Sequence, residues 1–90
     1  MMAYNYQTER PKLFSEENQA LFLKIRDNAE RLCKEAGCAM EGKIISGNSG
    51  DSWTMMACVD RLVELGELQE VHYGPCAGQH RIFFSMRFVP

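Results

Sequence analysis

Histidine, tryptophan and proline are scarce in this chain of 90 residues, with two, one and three copies. Neither His72 nor His80 stands with a serine or cysteine and an acid in a recognisable nucleophile–base–acid set. No carboxylate pair stands apart from those that surface helices supply, so neither catalysis nor a cofactor is expected. No CxxC pair occurs among Cys33, Cys38, Cys58 and Cys76, and the plain expectation is reduced, mostly buried thiols. No apolar run approaches the ~20 residues that cross a bilayer, so no membrane partner is expected. The opening MMAYNYQTERPK lacks an apolar h-region; no secretory leader is expected, and a cytoplasmic protein is the default. Positive charge is not in excess either. The formal net charge is −2, which on composition alone does not favour nucleic acid.

What the chain has is apolar patterning. Hydrophobic residues make up 46% of it, enough for one modest core in one small domain. At this size buried area is short, and a homodimer interface would add to it. The stretch Asp51 to Leu68, DSWTMMACVDRLVELGEL, organises the rest. Met55, Val59, Leu62 and Leu65 recur on one helical face, with Cys58 beside them. Asp51 and Ser52 are good N-caps, and Gly66 can take the left-handed conformation that ends a helix after Leu65.

Thr54-Met55, Val59, Arg61-Leu62, Gly66 and Leu68 resemble the recognition helix of winged helix-turn-helix domains and its exit into the wing. The resemblance spans roughly residues 38–88. It implies an α+β fold, a winged helix-turn-helix with three helices plus a C-terminal β-hairpin wing. It also implies that Trp53, Met56, Ala57, Asp60 and Arg61 face a major groove, and that DNA binding is the usual employment of such a domain.

The remaining elements follow from local signals. Residues 1–12 are polar and aperiodic apart from Tyr4 and Tyr6, with Pro11 against an earlier helix start, and they suggest a flexible arm before a domain at 13–90. An alternative is an arm that docks on a partner subunit through the two tyrosines. Ser15 caps a long helix over 15–36, with Phe14 as a hydrophobic staple and Gly37 as its end. Phe22, Ile25, Ala29, Leu32 or Cys33, and Ala36 form its apolar stripe, and Leu21 and Leu23 widen it towards a dimer surface. Cys38-Ala39-Met40 suits a short strand, and 41–46 a brief helix with Ile44 and Ile45 inward. Ser46 to Gly50 is a turn. It lacks the lysine of a nucleotide-binding loop. Leu68 to Tyr73 and His80 to Val89 read as the two strands of the wing, joined by a turn at 74–78. The second strand alternates cleanly. Ile82, Phe84, Met86 and Phe88 are expected to lie on the helices, leaving Arg81, Phe83, Ser85 and Arg87 as an outward basic face.

Charge is unevenly spread. Residues 1–37 balance, whereas residues 38–70 set Lys43 and Arg61 against Glu41, Asp51, Asp60, Glu64, Glu67 and Glu70, a net −4. Two uses follow. The first, and the one favoured, is a transcriptional regulator binding double-stranded DNA through Lys43, Thr54, Met56, Ala57, Arg61, Arg81 and Arg87. The second is a protein-interaction module without DNA binding, whose contacts are Trp53, Met56 and Asp60, since an outward Trp–Met pair suits a protein partner. Trp53 folded back over the Gly47–Gly50 turn is the structural alternative. His72, Cys76 and His80 are spaced around the wing turn as zinc ligands could be, but three groups without a fourth make a weak site, and no metal is expected.

Overall fold

The computed structural model describes residues 4–48, 51–71 and 81–86. The arrangement is mixed α+β, with helices packed on one face of a small antiparallel sheet. Asn5 caps a first turn, α1 (Tyr6–Glu9), its side chain accepting from the Gln7 and Thr8 amides at 2.9 and 3.3 Å. A 3₁₀ turn over Arg10–Phe14 follows, with Pro11 near its start, where a missing N–H costs nothing. Thus part of the segment expected as an arm is helical, and a turn of helix precedes Pro11 instead of being stopped by it.

Ser15 caps α2 (Glu16–Ala36), accepting from the Asn18 amide at 3.2 Å. Gly37, at φ 86°, ends α2, and its N–H returns to the Cys33 carbonyl at 2.7 Å. Ile25, Ala29 and Cys33 are buried along one stripe, as their spacing predicts, while Ala36 is exposed. Phe14 does not staple this helix. Leu13 enters the core instead and Phe14 is 52% exposed.

β1 (Ala39–Met40) and a single turn, α3 (Glu41–Ile44), come next, with Ile44 and Ile45 buried. Asp51 caps α4 (Ser52–Glu64), accepting from the Trp53 amide at 3.3 Å and from the Thr54 hydroxyl at 3.2 Å. Met55, Cys58, Val59 and Leu62 are buried as the periodicity requires. Leu65 is not. It is 48% exposed because the helix closes at that residue: the Gly66 and Glu67 amides bond the Val63 and Leu62 carbonyls, and Gly66 stands at φ 80°. Leu68, just beyond, goes into the core. Among the described residues no helix is long and apolar enough to cross a membrane.

β2 (Leu68–Val71) and β3 (Ile82–Ser85) complete the sheet, in the order β1-β3-β2. Leu68 stands opposite Ser85 and Glu70 opposite Phe83, while Ala39 faces Phe83 from the other side. Directly opposed residues share a face, so Ala39, Leu68, Phe83 and Ser85 point to the helices, and all four are buried. The alternation of β3 is therefore as expected but its phase is inverted. Ile82 and Phe84 are only half-buried and Met86 is 47% exposed, on the face turned away from the helices.

Candidate functional site

The phase of β3 decides where Arg81 goes. One residue before Ile82, it shares parity with Phe83 and turns inward, its guanidinium 5.0 Å from the Phe83 ring centre. There it meets three carboxylates from three elements. Its Nε and Nη2 donate to the two oxygens of Glu70 on β2, at 3.1 and 2.8 Å, and Nη2 also donates to Asp60 Oδ1 on α4 at 2.9 Å. Glu41 of α3 lies farther off, with Oε1 3.8 Å from Nη1. These partners hold the Arg81 guanidinium firmly in its charged form. The strand pattern predicts Arg81 as an outward phosphate contact. It is instead the hub of an internal ion-pair cluster.

Glu41 is the most confined member. It is fully buried, and neither carboxylate oxygen has a hydrogen-bond partner. Burial pushes its carboxyl up to about 7, with Asp60 and Glu70 adding to the rise and Arg81 opposing it. Charge counting along the sequence treats Glu41 only as surface charge. The signal that finds it is its spacing: positions 41, 44 and 45 share a helical face, and both isoleucines are core residues.

The outward face of α4 is covered by the chain's own N-terminal segment. The Tyr4 hydroxyl donates to Asp60 Oδ2 at 2.6 Å, and its ring stands edge-on to Trp53, with centroids 6.3 Å apart. The Tyr6 hydroxyl and Arg10 Nε both donate to Glu64 Oε1 at 3.0 Å. Arg61 pairs with the same carboxylate, and Arg10 and Arg61 flank the Phe14 ring at 5.4 and 5.6 Å from its centre. The two cations hold the Glu64 carboxyl down at about 2.

The expected contact residues are thus dispersed. Ala57 is fully buried and Thr54 nearly so, its hydroxyl bonded to Asp51, and neither side chain is presented to a groove. Arg61 and Arg81 are committed to carboxylates. Trp53 leans on Tyr4, while the turn it is expected to cover lies partly outside the described residues, and Asp60 is shared by Tyr4 and Arg81. Met56 is half-buried and Lys43 is exposed at the end of α3. Arg87, His72, Cys76 and His80 lie outside the described residues. Among those described, no group of three His, Cys, Asp or Glu side chains could hold a metal ion. Cys33 and Cys58 are buried free thiols, and burial pushes Cys58 up to about 12.

Two other features bear on function. A cleft of about 500 Å³ opens between α2 and the start of α4, lined by Glu17, Asn18, Leu21, Lys24, Asn48 and Asp51, and it does not reach the Arg81 cluster. The outer face of the sheet carries Met40, Val71, Ile82, Phe84 and, just past β3, Met86, with Gln69 as the polar group among them. Within the three strands no charged side chain lies on that face, because Glu70 is turned inward; Glu67, just before β2, stands at its edge, its carbonyl accepting from the Met86 amide at 3.0 Å. The chain matches no family model, no curated protein and no solved structure.

Proposed function

We propose that this chain is a winged-helix domain that works, without catalysis, by contact with another protein surface. The helix order α2-α3-α4, a short strand between the first two, a left-handed glycine after α4 and the sheet order β1-β3-β2 support the winged-helix assignment. The observation that carries the function is the phase of β3. It turns Arg81 into the protein and leaves Met40, Val71, Ile82, Phe84 and Met86 outside. A face of that composition, largely apolar, fits a protein interface core, and among the described strand residues it offers no cation to phosphate.

The partner that fits is an uncharged apolar surface. The simplest such surface is a second copy of this chain, since nothing charged on the described strands would oppose a two-fold pairing. Sedimentation at tens of micromolar should therefore give about twice the 10.3 kDa monomer mass, reverting to monomer in Phe84→Asp without loss of helical signal. A wild-type monomer that also fails to retain a protein partner through this face would overturn the proposal. DNA binding is the second reading. It is supported by Lys43, exposed at the end of α3, and by the common use of winged helices.

A further inference from the structure

Glu41, Arg81, Asp60 and Tyr4 form a chain of contacts from the buried side of α3 to the N-terminal segment. One guanidinium brings a single positive charge to three carboxylates. Glu70 takes Nε and shares Nη2 with Asp60, which leaves Glu41 at 3.8 Å from Nη1 with both oxygens unpartnered. The charged and titratable groups facing Glu41 are Arg81 before β3, Asp60 on α4, Glu70 on β2 and Tyr4 above them. From α2, the polar side chain that bonds α3 is the neutral amide of Asn28, which donates to the Ile44 carbonyl at 2.7 Å. Two carboxylates therefore face Glu41 against one cation that stays 3.8 Å away, and burial deprives its ionised form of water.

The cover over this cluster is the N-terminal segment, held on α4 mainly by polar contacts at its surface. Tyr4 closes the cluster by a hydrogen bond to Asp60, an edge-on contact with Trp53 and packing against the core edge, while Tyr6 and Arg10 anchor the same segment farther along α4 on Glu64. We propose that docking of the N-terminal segment on α4 is linked to the protonation of Glu41: the segment closes over a neutral Glu41 and is loosened when Glu41 ionises. The physical reason is reciprocity. If the docked segment shields Glu41 from water, docking favours the neutral carboxyl, and the neutral carboxyl favours docking to the same degree. The device lies on α4, not on the outer sheet face, so it stands or falls independently of the partner proposed for that face.

The chain holds a single tryptophan, and it is the residue Tyr4 leans on. Trp53 emission of the full chain, followed from about pH 5.5 to about 8.5, should shift to the red and become more open to acrylamide as pH rises, with a midpoint near 7. Far-UV circular dichroism should not change. Glu41→Gln should abolish the transition and keep Trp53 protected throughout, while His72→Gln with His80→Gln should leave it in place. A wild-type Trp53 signal flat across this range, a transition surviving Glu41→Gln, or one removed with the histidines overturns the proposal. Should Glu41→Gln fail to fold, the ¹³C carboxyl signal of wild-type Glu41 gives the answer. A midpoint near 7 that falls towards 4.5 in Tyr4→Ala supports the linkage. A midpoint near 4.5 in the wild type, or one unmoved by Tyr4→Ala, overturns it.

Discussion

Phe83 and Phe84 are chain neighbours with opposite surroundings. Phe83 is fully buried between Ala39 and Glu70 at the centre of the sheet, and Phe84 is half-buried on the outer face. Phe83→Ala should cost about 3–5 kcal/mol in chemical denaturation, as for other fully buried aromatics. Phe84→Ala should cost about 1 kcal/mol or less, since much of its area is never removed from water in the monomer. The reverse order would contradict the phase of β3. Period-two alternation is legible in the sequence, but it cannot choose the inward set, because Ile82, Phe84 and Met86 are more apolar than Phe83 and Ser85. The choice is made across the chain, by Leu68 opposite Ser85 and by the three carboxylates that receive Arg81. Glu41 gives a second prediction at this scale. Its folded carboxyl is raised from 4.5 to about 7, so the folded state binds the extra proton between those values. Its stabilising contribution is full below pH 4.5 and is lost as pH rises through about 7, by up to about 3 kcal/mol. Glu64 works in the opposite sense: its carboxyl is lowered from 4.5 to about 2, so its contribution is present above 4.5 and lost as pH falls through 2. Stability measured by urea titration should thus be greatest in mildly acidic buffer, and Glu41→Gln should flatten the decline above it. Stability that climbs steadily from about pH 5 to about 8 would contradict the assignment of Glu41.

Among the elements, those with strong local signals are the ones sequence alone can place. α2 and α4 have caps at Ser15 and Asp51, apolar stripes of helical spacing, and glycines just past their ends. A Cβ added at Gly66 would meet no heavy atom within 4 Å, so a side chain there faces only the strain of φ 80°. Gly66→Val should therefore lower stability by about 1–2 kcal/mol, and Gly66→Ala by about 1 kcal/mol, without change in the helical spectrum. Thermal melts that match the wild type would place the end of α4 elsewhere. α1 escapes sequence reading because its one local signal is the Asn5 cap. A four-residue helix has no periodicity to read, and what else fixes it lies more than fifty residues away, in Asp60 and Glu64. The two tyrosines stand out as docking groups in an otherwise polar segment, but their acceptors on α4 become visible only in three dimensions. Leu65 shows the same limit at the other end of α4, where helical spacing runs one residue past the point at which the chain turns.

For the molecule as a whole, the net charge of −2 conceals how its cations are used. On the side formed by α4 and the sheet, Arg10, Arg61 and Arg81 are all held by carboxylates of the same chain. Asp60 and Glu64 hold the N-terminal segment over the outward face of α4, the face that a winged helix would turn to a groove. On the proposed reading, cations that could have met phosphate are spent on internal ion pairs, and the chain presents an apolar sheet face instead. Titration of a labelled random-sequence DNA duplex at low ionic strength, read by fluorescence anisotropy, tests this most directly. No saturable binding should occur at micromolar protein, and Arg81→Gln should change thermal stability and leave the anisotropy unaltered. Saturable binding that weakens with salt at a log–log slope of about −0.9 per phosphate contact, and that is lost in Arg81→Gln while the fold persists, would contradict it.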